Sequence, residues 1–155
     1  MKKLPGLLIV LLLFVGCAGQ DGKGRPAPEP ISPVEAKILS QTVMGIAIES
    51  QKLDVEKILK LESIFTDVRS TLLLALAEDP TTVEPVTMNY VKGLDPVYQE
   101  SIKGLLQIFL IRLRPYTQQG PAGATVAETY IEFVIDGALL ACNQAIERKR
   151  QPEPV

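Results

Sequence analysis

The chain has no histidine, no tryptophan, only 5% aromatic residues and just two cysteines among its 155 residues. Without imidazole there is no Ser-His-Asp or Cys-His nucleophile pair, no His-ligated zinc and no metalloprotease helix motif, so most hydrolase designs are excluded. An excess of charge is missing as well. Lys and Arg number 16 against 18 Asp and Glu, for a net charge of −2, which gives no reason to expect a polyanionic partner such as nucleic acid. No apolar run reaches the roughly 20 residues that a membrane-spanning helix needs. The phosphate loop, the dinucleotide glycine pattern, the nucleophile elbow and the calcium loop are absent too. What is present is 46% hydrophobic residues in a length suited to one small globular domain.

The first residues read as an address. Lys2 and Lys3 precede an apolar run from Leu7 to Val15, followed by Gly16 and Cys17. A basic start favours the cytoplasmic side, and nine apolar residues are too few to span a bilayer. Phe14-Val15-Gly16-Cys17 resembles the lipobox of bacterial lipoprotein precursors, with Phe14 where leucine is usual. The resemblance implies diacylglyceryl transfer to the Cys17 thiol, cleavage between Gly16 and Cys17, and acylation of the new amine. At about 0.8 kcal/mol per buried methylene, two acyl chains anchor a protein effectively permanently. Ala18 stands where aspartate is the inner-membrane retention signal of many such lipoproteins, so the resemblance points to the outer membrane of a two-membrane organism. The competing reading is an ordinary secretory signal, or an uncleaved anchor, with Cys17 incidental.

Composition divides the rest. Residues 1–16 are the expected signal peptide and 17–32 the lipidated cysteine with a flexible Pro/Gly tether. The folded domain is expected over 33–150, followed by a disordered tail, 151–155. Residues 18–32 would span roughly 20 Å as a coil and at most about 45 Å extended.

Within the domain the pattern predicts an all-α fold: a compact bundle of four helices, or five with a short extra one. Ser32-Pro33-Val34-Glu35 is a capping box with proline at the first helical position. Val34, Ile38, Val43, Ile46 and Ala47 approximate one apolar stripe, on a helix that continues or kinks near Ser50 to Asp54. Leu53-Asp54 is a fresh staple and cap. Beyond it Ile58, Leu61, Phe65, Val68, Leu72 and Leu76 recur as a bundle-type seam, with Glu56 and Lys60 spaced to pair, until Asp79-Pro80. A short helix is expected over Pro85 to Lys92, stopped by Gly93. A third long helix should run from Pro96 to about Arg114, stopped by Pro115; its Leu105 to Ile111 segment is apolar nearly all round and should be the most buried element. A loop from Tyr116 to Ala124 leads to a second capping box, Thr125-Val126-Ala127-Glu128. The last helix carries Ala127, Tyr130, Ile131, Val134, Ala138, Ala141, Cys142 and Ala145 on one face, and Arg148, Lys149 and Arg150 complement its dipole.

Few residues suggest chemistry. Lytic transglycosylases use a Glu-Ser acid/base followed by a Gly-Leu-Met-Gln segment, and Glu62-Ser63, Glu100-Ser101 and Gly104-Leu105-Leu106-Gln107 are similar in kind. The spacings, 42 and four residues, do not match. Glu128, Glu132 and Asp136 share a helix face, as a carboxylate metal site or as partners for Arg112 or Arg114 of a neighbouring helix. Gln107 and Asn143 are expected as satisfied polar groups near the core. With Cys17 lipidated, Cys142 is the remaining thiol, read first as a small buried hydrophobe and second as a reactive or intermolecularly bridged one. No catalytic, cofactor-binding or metal residue is assigned.

The expectation is a non-enzymatic interaction or assembly module of the cell envelope. It would be held to the membrane through Cys17 and present a face or groove to a protein partner. Pilotins, the small helical lipoproteins that escort secretins, share the architecture by analogy, with no pilotin motif present. The alternative is a module that binds an apolar small molecule or lipid, with a transglycosylase-like enzyme third. An open groove favours the first; a closed apolar cavity favours the second.

Overall fold

The computed structural model describes residues 31–119 and 121–151; the expected Gly16–Cys17 cleavage site, the expected tether up to residue 30 and the last four residues lie outside them. The fold is all-α, with five α-helices and no strand among the described residues. They are α1 (Pro33–Ser50), α2 (Val55–Glu78), α3 (Val83–Lys92), α4 (Pro96–Thr117) and α5 (Pro121–Arg150), with a 3-10 turn, Pro80–Thr82, before α3. No helix is long and apolar enough to cross a membrane among those residues.

The starts follow local chemistry. Ser32 Oγ accepts from Glu35 N–H at 3.2 Å while Ser32 N–H donates to the Glu35 carboxylate at 2.6 Å, the expected reciprocal box. Asp54 caps α2 through Lys57 N–H at 2.9 Å, and Asp95 caps α4 through Val97 N–H at 3.0 Å. These bonds hold carboxyls below their ordinary values: the Ser32 amide acts on Glu35, the Lys57 amide on Asp54 and the Thr81 hydroxyl on Asp79.

The end of α1 is neither a continuation nor a kink. Lys52 takes a left-handed conformation, φ 51°, and Leu53 N–H donates to Ile48 O while Lys52 N–H donates to Glu49 O, both at 3.1 Å. This Schellman closure turns the chain without glycine. Leu53 and Ile58, both buried, sit at the two positions of a hydrophobic staple. The short turn reverses the chain, so α2 runs antiparallel to α1.

Every residue of the expected α2 seam is buried, joined by Ile64 and Ala75. The same holds for the expected face of α5, which adds Gly123, Ile135, Gly137 and Ile146. With 12 buried residues α5 is the spine of the domain, whereas α4 buries 8; the expectation for α4 is corrected. Gln107 and Ile111 break its apolar girth by facing solvent, Ile111 at 62% exposure. α5 packs against α1, α2 and α4, and α3 joins α2 to α4.

The α4–α5 junction also departs from expectation. Pro115 does not stop α4, which runs on to Thr117 with the proline inside its last turn. There the ring removes one donor, while Gln118 N–H still reaches Arg114 O at 3.1 Å. The Tyr116 ring stacks on Tyr130, 5.5 Å between centroids, which rewards the extra turn. α5 begins at Pro121, a proline start, so the Thr125 box lies unused within its second turn. Gly123 lies against the Tyr116 backbone, where any Cβ would collide with the Tyr116 carbonyl.

The most extensive contact joins α1 and α5, which run parallel: Ser40 Oγ donates to Val134 O at 2.6 Å, Gln41 pairs with Gln144 and Glu49 with Arg148. A Cβ at Gly137 would strike the Lys37 carbonyl oxygen and lie 3.1 Å from Gln41 N. Gly45 and Gly104, in contrast, have nothing within 4 Å of such a Cβ. Gly137→Ala should therefore destabilise the domain by about 1–3 kcal/mol through overpacking. Gly45→Ala and Gly104→Ala should each stabilise it by about 0.5–1 kcal/mol through helix propensity. Urea denaturation of the three variants measures the contrast.

Candidate functional site

α1 divides its apolar residues between two faces. The buried set is Ala36, Ser40, Met44, Ala47 and Ile48. The expected stripe is corrected: Ala47 is buried and Val43 half-buried, but Val34, Ile38 and Ile46 are 57%, 58% and 36% exposed. The physical reason is the glycine contact. Lys37 and Ser40 of α1 approach α5 to backbone distance, Met44 and Ile48 are fully buried further along, and Val34, Ile38 and Ile46 are turned outward. Val34, Ile38, Thr42 and Ile46 follow each other at four-residue steps, forming one outward ridge.

Beside the ridge lies an open groove of about 690 Å³ between α1 and α5, with Thr42, Gly45, Ile46, Ala141, Gln144 and Arg148 among its lining. Gly45 and Ala141 supply the small residues. Two polar rungs cross between the helices: Gln41 Nε2 donates to Gln144 Oε1 at 3.0 Å, and Arg148 meets Glu49 at 3.2 Å. Both members of the second rung are largely exposed, so it contributes little to stability and can be rearranged by a ligand.

A second concavity, between α1 and α4, is a narrow apolar slot. Ile31, Leu39, Ile108, Phe109, Arg112 and Tyr130 are among its lining, and it holds about 20 Å³. That is space for one water at most, and its walls offer almost no polar partner for one.

The carboxylates of α5 find other partners than those expected. Arg69 of α2 pairs with Asp136 and lies 3.2 Å from Glu132, with the buried Nε–H out of line for a hydrogen bond to it; Lys37 is 3.9 Å from Asp136. Two cations thus offset two like charges at i, i+4. Glu128 stands apart and exposed, and no three-residue metal-binding cluster occurs among the described residues. Arg114 instead grips Glu84 of α3 with both carboxylate oxygens, at 2.8 and 3.0 Å from Nη2. Arg112 makes no ion pair within 4.0 Å among the described residues.

The remaining candidates are dispersed. Glu62 is half-buried on α2 and Glu100 exposed on α4. Ser101 is buried, donating to Gln51 Oε1 at 2.8 Å in a tie between α4 and the α1–α2 turn. Gln107 and Asn143 are both exposed, correcting their expected place near the core. Exposure at single positions follows the exact phase of a helix, and neither residue type announces its side. The groove itself was missed. Its walls lie about 100 residues apart in sequence, and the usable signal was Gly45 within an otherwise sound helical pattern.

A scan against protein-family models and searches of curated proteins and solved structures return no match.

Cys142 is completely buried in α5, and burial pushes its thiol up to about 12, with the Glu62 carboxylate adding to the shift. Burial likewise raises the Tyr130 hydroxyl to about 12. Both groups ionise more readily in the unfolded chain, so they favour folding below their ordinary values of 9 and 10 and lose that contribution as pH rises toward 12. Stability to urea should fall progressively above pH 9. At pH 8 Cys142 should resist iodoacetamide in the native protein and react fully in denaturant; rapid native alkylation would contradict the burial.

Proposed function

We propose that this protein is a lipid-anchored, non-enzymatic interaction module of the bacterial cell envelope. In this reading the signal over residues 1–16 is removed and Cys17 carries the lipid. Residues 17–32 tether a bundle of the four long helices, with α3 as the short extra one, outside the bilayer. Ala18 favours the outer membrane, facing the periplasm, in an organism with two membranes. The partner is a protein that lays an amphipathic helix into the groove between α1 and α5.

The observation that carries this reading is the shape of the two concavities. The larger is an open trough beside a ridge of exposed β-branched residues, and the apolar slot is too narrow for a small molecule. Gly45 supports it, since a mid-helix glycine costs about 1 kcal/mol relative to alanine and nothing in the domain approaches it. A missing side chain there lets another backbone come close.

Lipidated protein solubilised from membranes should co-purify with one stoichiometric protein partner. Gly45→Leu should abolish that recovery while leaving the helical circular dichroism unchanged, because the new side chain projects into open space. Recovery of bound lipid alone, with no protein, would favour the small-molecule alternative. Cys17→Ser should leave the domain folded and unanchored, and a variant that still sediments with carbonate-washed membranes would overturn the anchor.

A further inference from the structure

The outer face of α1 carries both halves of a helix–helix contact. Val34, Ile38, Thr42, Gly45 and Glu49 fall within an arc of about 80° at 3.6 residues per turn, so the exposed aliphatics and the α1 wall of the groove form one continuous surface. Val34 and Ile38, 57% and 58% exposed, make its apolar end, while a Cβ at Gly45 would meet nothing within 4 Å. Ile38 and Gly45 are seven residues apart, two turns along the same line. The midpoint between that knob and that hole falls between Gln41 and Thr42, which is also the midpoint of the whole helix, Pro33–Ser50.

We propose that this face binds a second copy of itself, with α1 lying antiparallel on α1 across a two-fold axis between Gln41 and Thr42. The inference rests on the reading of the groove as a protein-docking site and names the partner as this same chain, so the stoichiometric partner recovered on purification has the chain's own mass. The register selects that occupant. An axis at the helix midpoint brings Ile38 of each copy level with Gly45 of the other, so each large side chain covers bare backbone, and the two helices overlap along their whole length. Charge agrees with this direction. Glu49 stands in the last turn of α1, where no basic residue of the helix accompanies it and the dipole opposes it. The same axis puts it level with Val34 of the second copy, in the first turn of that helix, whose positive end it complements. Glu49 and Arg148 are the charged members of the groove lining and are matched at 3.2 Å, and the two-fold sets the two pairs at opposite ends of the contact, where they do not repel. The Gln41–Gln144 rung lies near the axis, where an amide of each copy can both donate to and accept from its equivalent.

Disulfide trapping reads this register. Thr42 is exposed and next to the axis, so it comes opposite Thr42 of the second copy. Thr42→Cys in the full chain, mildly oxidised in isolated cell envelopes, should therefore give a crosslinked dimer of twice the chain mass. The parent protein, its Cys142 buried, fixes the background, and Leu74→Cys on α2, a site 61% exposed, is the control for random collision. Adding Gly45→Leu should abolish the crosslink and adding Ile38→Ala should weaken it, each with helical circular dichroism unchanged. Crosslinking at 74 as efficient as at 42 overturns the interface, and a dimer that survives Gly45→Leu overturns the antiparallel register. A thiol at 42 that stays monomeric and alkylates freely overturns the groove reading together with this inference. A thiol at 42 shielded from alkylation, or trapped on a different protein, and released by Gly45→Leu overturns the second copy alone.

Discussion

The backbone contact between α1 and α5 at Gly137 is the constraint on which the other arrangements depend. With no Cβ at that position, the Lys37 peptide lies directly on α5, and the helices come close enough for the Ser40 hydroxyl to donate a hydrogen bond to the Val134 carbonyl. A buried hydroxyl is tolerated only with such a partner. The partner exists only at this separation. Ala36 and Ala47 on α1 and Ala138, Ala141 and Ala145 on α5 are small for the same reason, since side chains of ordinary size would hold the axes apart.

From that contact the rest of the domain is positioned through α5. The tight turn at Lys52 returns α2 along the opposite side of the spine, where Arg69 meets Glu132 and Asp136. These charges are partly exposed, so their attraction adds little net stability, but removing the cation would leave two carboxylates facing each other at one helical turn. Arg69 therefore acts mainly on register: it matches α2 to α5 at one position along the helices. The Tyr116–Tyr130 stack and the Gly123 approach do the same for the end of α4.

Local chemistry was legible in the sequence, and pairwise approach was not. Ser32, Asp54, Asp95 and Gly93 mark helix ends correctly because a cap is decided within four residues. The seams of α2 and α5 were legible because their apolar residues repeat at bundle spacing, and every residue of both expected seams is buried. α1 misled because its buried face takes in the small Ala36, Ser40 and Ala47 beside Met44 and Ile48 while Val34, Ile38 and Ile46 face out, a phase fitted to the close contact at Gly137 of another helix. Pro115 misled for a related reason: its local cost falls on a single donor, and the compensating stack on Tyr130 comes from a distant part of the chain. The groove shares this origin. Gln41 and Gln144 meet only because α1 and α5 run parallel in contact.

Single exposed aliphatic residues are ordinary on a protein surface and carry no meaning alone. The arrangement around α1 is informative because its two flanks differ in kind. One flank is a wide trough with exchangeable polar rungs, suited to a partner that brings its own hydrogen-bonding side chains. The other is a shut, apolar slot whose lining includes an arginine with no ion-pair partner within 4.0 Å among the described residues, and the chain arrives from the N-terminus at its edge. The slot is continuous with the core, since Ala36, Leu105, Phe109, Tyr130 and Val134 of its lining are buried core residues, whereas Thr42, Ile46, Glu49, Gln144 and Arg148 of the trough are exposed. A helix held to its spine by glycine has its axis fixed, so whatever meets one flank determines where the other flank points.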